Sequence, residues 1–208
     1  LDIDPIGGLG RNKVFNKGSP MFHLIFGLPW LLVATRFIAP LPWIWSVKIA
    51  LAVLLLVASQ YHFFNRLSSG SVFSPEFPRM LVIAFNVLMG ALLLLAVFQI
   101  ALDLVSLVLW PLKGHFPTAP AGLRYGMGLV ALGLASFGVA QAIRVPPLKD
   151  IEISIKGLPP AFDGYQMIQL TDLHISRLFT ADWTEEVVSR TNALNADLIV
   201  ITGDLFDG

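Results

Sequence analysis

Charge is spread so unevenly along this chain that it divides the molecule before any motif is considered. Between positions 21 and 143, only eight of 123 side chains are charged: Arg36, Lys48, Arg66, Glu76, Arg79, Asp103, Lys113 and Arg124. The 65 residues from 144 to 208 carry fifteen charges, and the first twenty carry five, on Asp2, Asp4, Arg11, Lys13 and Lys17. A soluble domain is about 25% charged, whereas this chain is 13% charged and 55% hydrophobic. So long a stretch with so few ions cannot present an ordinary water-facing surface. The sequence therefore predicts a membrane-embedded body over 21–143, followed by a soluble-type domain over 144–208. No Cys is present among the 208 residues, which excludes a disulfide scaffold, a thiolate metal site and a thiol nucleophile. The formal net charge is zero, without the basic excess of a nucleic-acid binder, so no nucleic-acid partner is expected.

Four apolar runs can be separated in the body: Met21 to about Ala39, about Ile44 to Phe64, about Met80 to Trp110, and about Tyr125 to Ile143. Each reaches or approaches the roughly 20 residues that span a bilayer core, so the expectation is a multi-pass, all-α region of four transmembrane helices with the lipid bilayer as its partner. The first run is interrupted by Pro29 and Arg36. The third is too long for one perpendicular crossing and must tilt or end in an interfacial extension after Gln99 and Asp103. Residues 1–20 read as a leader or an added remnant, with Met21 placed as a start residue would be. Counting Arg11, Lys13 and Lys17, the excess of cations favours a cytoplasmic N-terminus and returns the tail to the same side. Without them the loops balance, and the side that receives the C-terminal domain is open.

Within the body, Gly122 and Gly126 have the GxxxG spacing that allows close helix approach. Asp103, Asn86 and Gln99 could mark a polar pathway, which would make the body a transporter, but one acid and two amides more readily serve interhelical hydrogen bonding. His23, His62 and His115 lie near run ends without carboxylates at ligand spacing and read as interfacial side chains.

The tail changes period. Ile151, Ile153 and Ile155 alternate with Glu152, Ser154 and Lys156 as in a half-buried strand. Tyr165 to Leu170 reads as a second strand ending at Thr171-Asp172-Leu173-His174. Asp182 is placed as the N-cap of a helix running to Thr191 or Leu194. The run Leu198 to Ile201 has the continuous apolar pattern of a parallel strand covered on both faces, and it ends at Thr202-Gly203-Asp204-Leu205-Phe206-Asp207. A β-α-β unit would bring both acidic segments to the carboxyl ends of neighbouring strands, where sites form in open α/β sheets. Asp172, His174 and Asp204 are the candidate metal ligands, with Gly203 permitting a tight turn just before Asp204. One imidazole among carboxylates suits Mn, Fe or Zn.

Asp172-Leu173-His174 and Gly203-Asp204-Leu205-Phe206-Asp207, separated by one β-α-β unit, resemble the D-x-H and G-D-x-x-D blocks that open the calcineurin-like metallophosphoesterases. The surrounding phrases IQLTDLHIS and NADLIVITGDLFDG resemble the membrane-anchored, YkuE- and TMPPE-like branch. The resemblance covers about residues 150–208. It implies an α/β metallophosphoesterase sandwich of which this is the first β-α-β part, and two divalent metal ions. Asp172 and His174 would ligate the first ion, Asp204 would bridge both, and Asp207 would lend support. The implied activity is hydrolase chemistry, the cleavage of a phosphomonoester or phosphodiester (a phosphodiesterase in the latter case) by metal-bound hydroxide. Membrane anchoring adds a lipid-linked phosphoester as an expected substrate. The later G-N-H-[ED] and G-H-x-H blocks are absent from these 208 residues, so the expectation is a truncated domain that is not a competent enzyme by itself. The alternative is a non-catalytic membrane module or assembly partner, with a second chain supplying the missing motifs.

Overall fold

The computed structural model describes residues 19–72 and 74–207. Positions 1–18 of the expected leader, with Arg11, Lys13 and Lys17, lie outside the described residues, as does the side chain of His23. The first helix, α1 (Ser19–Leu32), contains Pro29 and continues as a π-helical segment, Val33–Ile38. Pro40 and Pro42 then prevent further helix, because a proline lacks the amide donor and crowds the residue before it. The second apolar run is broken rather than continuous: α2 (Trp45–Ser59) and α3 (Tyr61–Ser69) meet at Gln60 with a bend of 51°. Gly70, at φ 83°, closes α3 in the left-handed conformation that a glycine adopts without strain.

The third run forms one unbroken helix, α4 (Arg79–Lys113), whose 35 residues extend about 52 Å against a hydrocarbon core of about 30 Å. The fourth run forms α5 (Ala121–Ala142). Among the described residues, α4 and α5 are each long and apolar enough to cross a membrane, and the bent pair α2–α3 qualifies as a third crossing. The first run yields only a shorter apolar helix.

Helix α4 is the hub, packing against α1, α2 and α5. The main core gathers Val33, Phe37, Leu55, Leu92, Leu95 and Ala131. At the end of the bundle nearest the tail, Tyr61, Val82 and Met89 form a second cluster with Phe26, Phe77 and Phe85. At the opposite end lies a polar clasp. Arg36 donates to Asp103 through Nη2 at 2.8 Å and Nε at 3.2 Å, and Gln99 Nε2 donates to the same carboxylate at 2.8 Å. Arg124, only 5% exposed, donates from Nη1 to the carbonyl oxygens of Arg36 (2.7 Å) and Phe37 (3.4 Å) and to Gln99 Oε1 (3.3 Å). Gln99 and Asp103 of α4 thus serve interhelical bonding, with Asp103 tying the π-helical segment to α4, whereas Asn86 Nδ2 donates to Val82 O of its own helix at 2.8 Å.

The tight helix approach is not at the GxxxG pair. A Cβ on Gly122 or Gly126 would meet nothing within 4 Å, and both residues line an open apolar groove with Phe98, Leu102 and Val130. The close contact is Gly90, where an added Cβ would lie 3.3 Å from Ala135 Cβ. Composition alone could not choose between these glycines, because the choice depends on how α4 and α5 are rotated about their axes.

The tail contains β1 (Met167–Thr171), α6 (Ala181–Ala193) and β2 (Leu198–Thr202), with β1 and β2 paired in parallel. Their register runs from Met167 opposite Leu198 to Thr171 opposite Thr202. The β-α-β unit read from the sequence is present, with three changes. The alternating segment Ile151 to Ile155 is not a strand, and its isoleucines are exposed, since no neighbouring strand in the described residues accepts its hydrogen bonds. Helix α6 starts two residues earlier than expected, with Thr180 as N-cap and Asp182 in the first turn. There the Asp182 carboxylate complements the helix dipole instead of capping it. Finally, β2 is not covered on both faces, since Ile199 and Ile201 are 44% and 55% exposed.

Replacing Gly90 by Val should force α4 and α5 apart and cost about 1–3 kcal/mol, read as a lower unfolding temperature in detergent. Gly126→Val should leave that temperature nearly unchanged. Equal losses at the two positions would contradict the packing.

Candidate metal centre

The site is built by a ladder that outlasts its strands. Beyond Thr171 and Thr202 the two chains continue side by side. Asp172 N–H donates to Thr202 O (3.1 Å), His174 N–H to Asp204 O (3.2 Å), Ile175 N–H to Leu205 O (3.0 Å), and Asp207 N–H to Ile175 O (3.3 Å). An isolated parallel bridge joins Ile175 to Phe206. The two motif loops are therefore locked to each other by backbone bonds, and this is what brings residues some thirty positions apart to one place.

Two motif residues hold left-handed backbone conformations, Asp172 at φ 51° and His174 at φ 46°. This region is sparsely populated by non-glycine residues, though Asp and His are enriched among those that enter it, and such conformations concentrate at functional sites. Gly203, at φ 72°, faces Asp172 so closely that a Cβ there would collide with the Asp172 carboxylate. Glycine is needed at 203 on both counts, for the backbone angle and for the space.

The Asp172 carboxylate accepts from Thr171 Oγ1 at 2.6 Å through Oδ2 and from the Asp204 backbone N–H at 3.2 Å through Oδ1. These donors, the hydroxyl foremost, hold Asp172 below the ordinary carboxylate range. His174 Nδ1 lies 2.5 Å from Asp207 Oδ1. That hydrogen bond, helped by the negative charge around it, raises the His174 pKa above its usual value.

The structure thus assigns each motif residue a place. Asp172 and Asp204 meet through a carboxylate-to-backbone bond, Gly203 makes room for them, and Asp207 orients the imidazole. With Nδ1 engaged by Asp207, His174 keeps Nε2 for a ligand, the arrangement in which a carboxylate fixes the tautomer of a metal-binding histidine. The donor set is of the oxygen-and-imidazole kind that suits a divalent ion. The side chains do not yet converge, however: among the described residues no three His, Asp or Glu side chains are grouped closely enough to hold an ion. In donor chemistry these residues fit a divalent metal, while their side chains are not grouped to hold one.

A contact invisible in the motif spacing joins this site to the helical body. Arg177 pairs with Glu76 at 2.8 Å, Arg79 Nε donates to Leu178 O at 3.2 Å, and Leu178 packs on the aromatic cluster at the head of α4. Arg177 and Leu178 belong to the loop that follows His174 directly. Only their nearness to the D-x-H block could have singled them out in the sequence.

In the metal-free chain, NMR titration of His174 should give a pKa above the ordinary value of about 6.5, and Asp207→Asn should bring it back down. Because the folded value is raised, the stability contributed by the pair is fully present below about pH 6.5 and is lost as pH rises through the raised value. The Asp172 contribution has the opposite sign, present above its ordinary value of about 3.9 and lost as pH falls through the lowered one. Gly203→Ala should displace the Asp172 carboxylate and cost about 1–2 kcal/mol through its left-handed backbone alone, measurable by thermal unfolding.

Comparison with known proteins finds relatives named metallophosphoesterase. The chain is 33% identical over 79 residues to a protein of Danio rerio named transmembrane protein with metallophosphoesterase domain, covering 38% of this chain and 18% of that one. It is 35% identical over 98 residues to the uncharacterized metallophosphoesterase YkuE of Bacillus subtilis, covering 46% of this chain and 32% of that one. An uncharacterized metallophosphoesterase of Campylobacter jejuni is 25% identical over 112 residues, covering 52% of this chain and 29% of its own. The chain thus spans less than a third of the length of each of these relatives. No protein-family profile matches the chain, and no solved structure does.

Proposed function

We propose that this chain provides the membrane anchor and the first half of the metal site of a phosphohydrolase. Partial-length similarity to proteins named metallophosphoesterase supports the hydrolase class. The single observation that carries the site assignment is the locked pair of loops. That ladder sets the Asp172 carboxylate against the Asp204 backbone and leaves His174 oriented by Asp207.

Asp172 and His174 would hold one divalent ion and Asp204 would bridge to a second, with Mn, Fe or Zn suited to the donor set. Such an ion pair would supply an activated water and neutralise charge on a phosphoester during in-line displacement. The protein's own contributions are distinct. Thr171 and the Asp204 N–H keep Asp172 ionised, Asp207 fixes the imidazole, and Gly203 admits the carboxylate to the turn. The remaining ligands come from outside these 208 residues, from later motifs of the same polypeptide or from a second chain. In the membrane body, four crossings formed by α1 with its π segment, the bent α2–α3 pair, α4 and α5 would place the substrate-binding tail against one face of the bilayer. A lipid-linked phosphomonoester or phosphodiester is the substrate class that this placement favours.

In a polypeptide carrying the later motifs, Asp172→Ala and Asp204→Ala should each lower metal-dependent phosphoester hydrolysis by more than about a hundredfold. Asp207→Asn should cost about 10–100-fold, the range for a group that acts through a metal ligand. Wild-type rates in either alanine variant would overturn the assignment and favour a non-catalytic membrane module.

A further inference from the structure

We propose that the cavity between the head of α4 and the loop after His174 binds the phosphate group of a membrane lipid, with Arg79 as its uncompensated cation. The cavity measures about 520 Å³ and is lined from the body by Glu76 and Arg79, and from the tail by Ser176, Arg177 and Thr180. Its two guanidinium groups differ in their commitments. Arg177 is neutralised by Glu76 at 2.8 Å. Arg79 spends one N–H on Leu178 O and makes no ion pair among the described residues. One net positive charge therefore faces the cavity, carried by the side chain best suited to grip phosphate through several donors.

Two further features add to that charge. Ser176 lines the cavity, and so does the start of the 13-residue helix α6, whose N-cap Thr180 makes no side-chain capping bond. First-turn N–H groups without a side-chain cap attract an anion, an attraction that the Asp182 carboxylate in the same turn reduces without removing.

A lipid is favoured over a soluble anion by what surrounds the cavity. Arg79 opens α4, and the next two residues, Met80 and Leu81, are 73% and 44% exposed. On the tail side Leu178 packs against the cluster of Tyr61, Val82 and Met89, as do Phe77 and Phe85. A cationic, hydroxyl-bearing cavity bordering an apolar helix surface suits an amphiphile with a phosphate at its polar end. Ser176 lies two residues past His174, so a headgroup held here sits beside the candidate metal loop. That relation to catalysis rests on the phosphohydrolase reading, whereas the binding itself does not.

The test uses the full chain in nanodiscs of phosphatidylcholine doped with phosphatidic acid, kept metal-free with chelator, with retained lipid counted by native mass spectrometry. Phosphatidic acid should be retained in preference to phosphatidylcholine. Arg79→Gln should lower that retention about tenfold, the scale of a lost charge-assisted contact, and Arg79→Lys should keep most of it. Thr180→Glu, which leaves the Arg79 to Leu178 bond untouched, should also lower it, and Lys113→Gln at the far end of α4 should not. Wild-type retention in both Arg79→Gln and Thr180→Glu would overturn the proposal. So would equal retention of the two lipids, or displacement of phosphatidic acid by equimolar inorganic phosphate, which would show a soluble-anion site. Because no metal is present, failure here leaves the metal assignment standing, and loss of hydrolysis without metal ligands leaves this binding unaffected.

Discussion

The parallel ladder between β1 and β2, continued past both strand ends, is the interaction on which the candidate site depends. Side chains of Asp and His on two separate loops would ordinarily sample many placements, at an entropic cost for each ordered residue. Here the backbone bonds of Asp172, His174, Ile175 and Asp207 to the facing loop fix those residues before any ligand arrives. The left-handed conformations of Asp172 and His174 are tolerated because the ladder over-determines them.

The helical body solves a different problem. In an apolar bundle a buried guanidinium is costly unless its N–H groups find acceptors. Arg124 finds them at the end of the π-helical segment, where Arg36 and Phe37 offer carbonyl oxygens. These carbonyls are available because the helix ends at Ile38, so no later helical N–H reaches them. Arg36 in turn neutralises Asp103, and Gln99 bridges the acid to Arg124. The clasp at one end and the aromatic cluster at the other fix α1, α4 and α5 relative to one another. The head of α4 is thereby a defined platform for the loop that carries Arg177 and Leu178.

Much of this was legible in the residues, and the failures share a cause. The β-α-β unit followed from alternation, turn residues and a continuous apolar strand, and the motif positions followed from their places after the strands. Ile151 to Ile155 has the same alternation as a strand, yet it pairs with neither β1 nor β2, and its isoleucines stay exposed. The GxxxG pair had the spacing of a contact, but Gly90 made it. The second apolar run looked continuous, yet it bends at Gln60, where the amphipathic α3 turns aside and buries Tyr61 and Asn65 while leaving Phe63 and Leu67 exposed.

The sequence by itself determined the division between an ion-poor body and a charged tail, because burying charge in an apolar medium is costly wherever it falls along the chain. It also singled out Asp172, His174 and Asp204 as candidates for a metal, since carboxylates and an imidazole after two strand ends have ligand chemistry. Only the tertiary structure decided which glycine lets helices touch, that Asp207 is the partner of His174, and that Arg79 and Leu178 tie the motif loop to the membrane body. These are contacts between elements distant in sequence, and they depend on helix rotation, strand register and loop path. No local pattern encodes those quantities, because each is set by the packing of the whole.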